Sequence, residues 1–349
     1  MILFLGIGMT ILWFLYQSLE GNYQEDCFQK GIPAENCSLW NKLVSDFKSA
    51  KILWLVVIIL CFFISNVSRS LRWQQLVSSL GYNTRILNAF HTTMLGYFAN
   101  LGLPRLGEVV RAASFSRYEK IPFEKVMGTV AADRVIDLLS FATVLILALI
   151  FQYDVLGTYL TENAQIPFLF IFQTLWFYLI LLAGLVILVY TYRNWKSLLR
   201  FKLIAKIDGL LKGFLEGLKS VASVKNPVIL LVHTFIIWGM YYLMTFLCFQ
   251  AFEPTAHLGP LAGLLVFVFG SLGMIIPSPG GMGSYHALVI VGLALYGIKA
   301  DDAFSFAMII FFTVNIFGNI LFGIIALLLL PGYNKHYQPV KRHVTVYSE

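Results

Sequence analysis

Six stretches of this chain, at about 2–19, 51–68, 126–152, 167–190, 227–251 and 303–330, are apolar over membrane-spanning length. A helix needs about 20 such residues to cross the hydrocarbon core of a bilayer. No single soluble core hides that much apolar surface. Of 349 residues, 58% are hydrophobic and 12% charged, against about 45–50% and about 25% in soluble domains. The expected fold is therefore an all-α integral membrane protein. The net charge of +7 does not point to nucleic acid, because the basic residues sit in loops between apolar runs, where they set membrane orientation.

Two further apolar stretches are broken. One runs from 86 to 118 and is interrupted at Gly102-Leu103-Pro104; the other runs from 261 to 298 and is interrupted at Pro277-Ser278-Pro279-Gly280-Gly281. A third segment, 195–222, has an apolar stripe through Leu199, Leu203, Leu210, Phe214 and Leu218, with lysines mostly off it. That pattern suits an amphipathic helix lying in the membrane interface. The link at 191–226 carries eight Lys or Arg, whereas those at 153–166 and 252–260 carry none. The first link and the C-terminal tail are expected in the cytoplasm, the other two outside.

Parity then constrains the broken stretches. From an outside loop at 252–260, the span 303–330 already brings the tail inside, so 261–298 must cross twice or not at all. Its halves, about 15 residues each, are short of spanning length. A re-entrant hairpin from outside fits, and the same argument makes 86–118 a hairpin from the cytoplasm. The expected organisation is a single membrane domain: a first helix and external loop (1–50), a first repeat (51–152), a linking helix and amphipathic helix (153–226), a second repeat of opposite topology (227–331) and a tail (332–349). Inverted repeats with broken helices are a recurrent transporter design, with the substrate site where the breaks meet.

The first run lacks a basic leader and a small-residue cleavage site, so it reads as an uncleaved helix. Cys27 and Cys37 share one polar loop. They would pair if it faces an oxidising compartment and be unrelated thiols otherwise.

The charges within apolar stretches carry the chemistry. Around the first break stand Asn100, Pro104, Arg105, Glu108 and Arg111, the last three on roughly one helical face. Arg105 or Arg111 suits a lipid phosphate, with Glu108 balancing the charge; the alternative is a cluster that staples the hairpin. Asp133, Arg134 and Asp137 share a face of the 126–152 helix and serve as substrate ligands, proton relay or partners of Arg105 or Arg111. At the second break, Pro279, Gly280, Gly281 and Gly283 permit a tight turn. There, Ser284 is placed to cap a half-helix whose N-terminus would attract an anion. His286 and His91 are candidates for headgroup binding or titration, or are simply hydrogen-bonded in place. Arg69, Arg72 and Trp73 read as an interface anchor. No nucleophile elbow, phosphate loop, metal-ligand cluster or paired His/Asp motif appears. No catalytic residue, metal or cofactor is therefore expected, although Asp137 as a base would open the way to a lipid-modifying enzyme.

Together, Arg69–Trp73, Asn100–Arg111, Arg134-x-x-Asp137 and Pro277–Gly283 resemble the flippase-like membrane domain of lysylphosphatidylglycerol synthase, in order and spacing over nearly the whole chain. The resemblance implies re-entrant helices in a bacterial or archaeal inner-membrane protein that moves a phospholipid or polyprenyl-type lipid between leaflets. A homo-oligomer or an envelope-lipid synthase partner is compatible with it. The synthase's aminoacyltransferase domain has no counterpart in these residues, so lysyl transfer is not carried over. Where the family has an Arg in the last long helix, this chain reads Phe311 to Asn319 without one.

Overall fold

The computed structural model describes residues 2–31, 33, 37–102, 106–155, 157, 212, 215, 219–276 and 278–339. The expected span at 167–190 and nearly all of the expected amphipathic helix at 195–222 lie outside these, as do Pro104, Arg105 and Pro277. The described residues form helices and no strand.

Helix α1 (Ile2–Gln29) and the short α2 (Leu39–Ser49) are joined by the Cys27–Cys37 disulfide, with Cα atoms 6.1 Å apart. Ser38 caps α2 by accepting from the Asn41 amide. Lys42 ties α2 to the start of a later helix through Asp302 (2.6 Å) and its own Asp46 (2.8 Å). Burial opposes its charge, but these two carboxylates prevail and raise its pKa.

Helix α3 (Ile52–Ser79) is longer than its apolar run suggests. No Gly or Pro interrupts it until Gly81, whose φ of 85° ends the segment as only glycine does without strain. Arg69 and Arg72 consequently lie inside the helix, 2% and 0% exposed, rather than at a membrane-surface end. This corrects the expected interface anchor, and Trp73 is likewise fully buried.

The first broken stretch forms α4 (Ile86–Gly102) and α5 (Leu106–Glu119), folded back on each other. Contacts run in antiparallel register from base to tip: Asn88 donates to Glu119 (2.6 Å), Gly96 backs onto Gly107 and Arg111, and Asn100 accepts from the Gly107 amide (2.7 Å). A Cβ at Gly96 would fall 2.7 Å from the Gly107 carbonyl oxygen, so the helices touch backbone to backbone. At the base, buried Glu119 also accepts from the Arg85 amide (3.1 Å) and the Tyr337 hydroxyl (2.8 Å). Arg85 covers the Tyr337 ring at 3.7 Å. Burial, helped by Glu119, pushes the Tyr337 hydroxyl up to about 12, so it stays a donor at neutral pH.

Helix α6 (Phe123–Phe151) follows, and α7 (Pro227–Ala251) opens the second half. Asn226 caps α7 ahead of Pro227 in its first turn, where a missing N–H costs nothing. The second broken stretch gives α8 (Pro260–Ile275) and α9 (Ser284–Ala294), again antiparallel: Gly273 meets Ser284 and Tyr285, and Gly292 meets Val266. Finally α10 (Ala300–Phe311), a π-helical turn over Phe312–Gly318, and α11 (Asn319–Asn334) form one long rod.

Among the described residues, four helices are long and apolar enough to cross a membrane: Ile52–Ser79, Phe123–Phe151, Pro227–Ala251 and Ala300–Asn334. The arms of the two hairpins, at 17, 14, 16 and 11 residues, reach only about 17–26 Å, less than a hydrocarbon core of about 30 Å. Helices α3 and α7 run antiparallel: the Lys51 amide donates to the Ala251 carbonyl at one end, and Ser68 meets His233 near the other. The core joins Phe249, Val266, Val289 and Phe306. Outward faces are apolar, as at Leu138, Leu139 and Ile150 of α6, and Phe235 of α7 is 80% exposed. Such surface suits lipid and not water.

Candidate functional site

Arg69 and Arg72 are three apart on α3; Asp133 and Asp137 are four apart on α6. Each pair therefore projects from one face, and the two faces meet. Arg72 Nη2 lies 2.6 Å from both Asp133 Oδ1 and Asp137 Oδ1. Arg69 Nη1 lies 2.7 Å from Asp137 Oδ2 and 3.4 Å from Asp133 Oδ2. From α5, Arg111 reaches Asp133 Oδ2 at 3.2 Å and stacks on the Trp73 ring at 3.8 Å. From α7, the Tyr241 hydroxyl accepts from Arg69 (3.2 Å) and Thr234 accepts from Arg72 (3.3 Å). Trp73 fixes the floor by donating its indole N–H to Thr129 (3.0 Å). Charges at this depth survive only where each finds an opposite charge.

Next to this network opens a cavity of about 700 Å³. Arg69 and Asp137 form its boundary with the network, and Arg134 and Glu108 extend it. Arg134 Nε lies 2.7 Å from Glu108 Oε1, without the alignment of a hydrogen bond, and its Nη1 is 3.6 Å from Asp137. Both members of the Arg134–Glu108 pair are about one-third exposed, unlike Arg72 and Asp133. The rest of the wall is mixed. Tyr97, Asn100, Trp238, Tyr241, Ser271, Asn315 and Asn319 are polar, while Leu138, Phe141, Phe267, Met274 and Ile275 are apolar. The two hairpin tips meet at its edge: the end of α4, at Asn100 and Leu101, packs against the Pro279–Gly281 turn. A polar recess continuous with an apolar wall accepts an amphiphile, head in and tail along the side.

The expected site residues divide accordingly. Asn100, Glu108, Arg134, Asp137, Gly280 and Gly281 line the cavity; Pro104 and Arg105 lie outside the described residues. Arg111 and Asp133 are buried in the network behind it, so Arg111 acts as the staple, because its position on α5 faces α6. Pro279 belongs to the turn, where Gly280, Gly281 and Gly283 have φ of 59°, 81° and 82°. Two expectations need correction. Ser284 does not cap α9, whose N-cap is Gly283; its hydroxyl donates to the Gly273 carbonyl (2.8 Å) and meets Ser278 Oγ (2.9 Å), closing the hairpin. His286 does not face the cavity. It is one helical step, about 100°, from the cavity-lining Tyr285 and packs on Phe311 (ring centroids 4.7 Å), with no hydrogen bond to either nitrogen among the described residues. His91 is buried too, its ring stacked on Tyr333.

Sequence reasoning missed Arg69 and Arg72 as network members, and Tyr97, Trp238, Tyr241, Asn315 and Asn319 as lining residues. A signal was present for several. Arg69/Arg72 and Asp133/Asp137 are complementary pairs at helical spacing within apolar runs, and Asn315/Asn319 are amides four apart in one.

Apolar spans, paired short-armed hairpins and a buried ion network around a cavity define a polytopic helical membrane protein. The chain belongs to the family of the lysylphosphatidylglycerol synthase TM region, whose model matches residues 38–323. It is similar to UPF0104 membrane protein MJ1078 of Methanocaldococcus jannaschii, 26% identical over 65% of this chain and 94% of the relative. It is also similar to UPF0104 membrane protein PH1989 of Pyrococcus horikoshii, 24% identical over 74% of this chain and 82% of the relative. A third relative, UPF0104 membrane protein MJ1595 of M. jannaschii, is 30% identical over 37% of this chain and 41% of its own length. No solved structure matches significantly.

Proposed function

We propose that this protein moves a phospholipid or lipid-linked substrate between the leaflets of a prokaryotic cytoplasmic membrane. The headgroup phosphate would occupy the cavity at Arg134 while the acyl chains stay in lipid. The observation that carries this reading is the mixed cavity itself, with charged Arg134, Glu108 and Asp137 on one side and apolar Leu138, Phe141 and Ile275 on another. The family's name links it to membrane lipid synthesis. Hairpin arms too short to span and the antiparallel α3 and α7 support two re-entrant hairpins in inverted repeats. Glu108 holds Arg134 when the site is empty and yields it to the phosphate. The C-terminus is cytoplasmic in this reading, and no chemical step is assigned. The test is leaflet exchange of fluorescent phospholipids in vesicles containing the purified protein. Exchange by the wild type that is lost in Arg134→Ala supports transport; a chemically altered lipid product would show an enzyme instead.

A further inference from the structure

The base of the first hairpin holds a side chain from beyond the last helix. Tyr337 lies past the end of α11 at Asn334, in a turn where its amide donates to the Asn334 carbonyl (3.3 Å). Two groups at the hairpin base receive it. The Arg85 guanidinium covers its ring at 3.7 Å, and Glu119 Oε2 accepts from its hydroxyl at 2.8 Å. A cation over the ring face and an acceptor at the hydroxyl engage both chemical features of a tyrosine. Beside them, Asn334 and Asn88 exchange two amide hydrogen bonds (2.9 and 2.7 Å), which fixes the end of α11 next to this socket.

The socket has a second way to satisfy itself. Glu119 is 2% exposed, and among the described residues its hydrogen-bond partners are all neutral groups: the Arg85 amide (3.1 Å), the Asn88 side chain (2.6 Å) and the Tyr337 hydroxyl. A buried carboxylate is normally paired with a cation. One is at hand, because the amide that Glu119 accepts from belongs to Arg85. The Arg85 guanidinium is instead engaged by the Tyr337 ring and by the Tyr333 carbonyl (3.2 Å). Seated, Tyr337 occupies both groups. Withdrawn, it leaves the carboxylate short of a donor and the guanidinium without its ring, and each can then satisfy the other.

We propose that Tyr337 is a detachable latch: seated, it ties the segment after α11 to both arms of the first hairpin, and when it leaves, Arg85 moves onto Glu119 and the hairpin base is freed from that segment. The opposite end of the same hairpin borders the cavity, so the tail and the cavity act on one pair of helices. The latch does not depend on what the cavity carries. Hydrogen-exchange mass spectrometry of the full-length protein in nanodiscs tests it, on Tyr337→Ala, Arg85→Ala and the double variant. The readout is exchange at the end of α5, with α8 as internal reference. Each single variant is expected to speed exchange there only modestly, because Arg85 replaces Tyr337 in one and Tyr337 stays on Glu119 in the other. The double variant strands Glu119 and should exceed the product of the two effects by about tenfold, the worth of one hydrogen bond to a charged group. Glu119→Gln leaves Arg85 no charge to take and should abolish that excess. If Arg85→Ala has no further effect in the Tyr337→Ala background, Arg85 only stacks on the ring and the proposal is overturned. Acceleration shared equally by α8 in the single variants, or an excess that survives Glu119→Gln, would overturn it as well.

Discussion

Asp133 is fully buried and within reach of three guanidiniums, on Arg69, Arg72 and Arg111. Replacing it by Asn keeps the shape, strands Arg111 and leaves Arg69 and Arg72 to Asp137 alone, so Asp133→Asn should cost about 3–5 kcal/mol of stability, read as a lower midpoint of denaturant unfolding in detergent. An unchanged midpoint would mean the network is wetter than its burial indicates. Arg134→Ala is expected to behave oppositely, because the Arg134–Glu108 pair is partly exposed and such pairs contribute only about 0–1 kcal/mol. Its midpoint should hold while lipid exchange is lost. The sequence displayed these charges but not their division of labour. Arg111 and Arg134 look alike in a string of letters, and only the packing of α5 on α6 sends one into the network and the other to the cavity. Arg69 and Arg72 were obscured for a related reason: α3 runs on past its apolar part, so residues that looked terminal are interior.

The hairpins depend on backbone contact between their arms. A Cβ at Gly107 would run into the Gly96 carbonyl and lie 2.6 Å from Asn100 Oδ1, whereas one at Gly102 meets nothing within 4 Å. Gly107→Ala should therefore destabilise by about 1–3 kcal/mol, as overpacking does, and Gly102→Ala by much less. Unfolding midpoints of the two variants give the comparison, and equal midpoints would refute the tight packing of α4 on α5. A Cβ at Gly273 would lie 2.7 Å from the Ser284 carbonyl oxygen, so Gly273→Ala should resemble Gly107→Ala in the second hairpin. The hairpins themselves were legible, because two Pro/Gly breaks left arms too short to span. The turn between α8 and α9 was read less well. Ser284 has the residue type of a cap, but Gly283 takes the cap position at positive φ and frees the Ser284 hydroxyl to cross to Gly273. Likewise, the π-helical turn that brings Asn315 and Asn319 to the cavity carries no Gly/Pro signal ahead of it, only the amide spacing.

At the scale of the whole molecule, the loop charges and the Cys27–Cys37 disulfide point the same way. A disulfide fits an oxidising exterior, on the side opposite the basic links. In intact cells, a membrane-impermeant maleimide should label Cys27 and Cys37 only after treatment with an external reductant; labelling without reductant would refute the disulfide, and none after it would reverse this topology. Membrane class and the approximate positions of four of the expected spans were legible because composition and run length are properties of the string. The cavity was not, since its wall draws on every helix from α3 to α11, segments more than 200 residues apart along the chain. Occupation of the cavity by a lipid headgroup is read from a lipid-bound experimental structure of the protein in nanodiscs. A transporter of the proposed kind shows a phosphate with oxygens about 3 Å from the Arg134 guanidinium, Glu108 released from Arg134, and acyl chains leaving past Leu138 and Ile275. Ordered lipid confined to the outer faces, with water in the cavity and Arg134 still on Glu108, would contradict it.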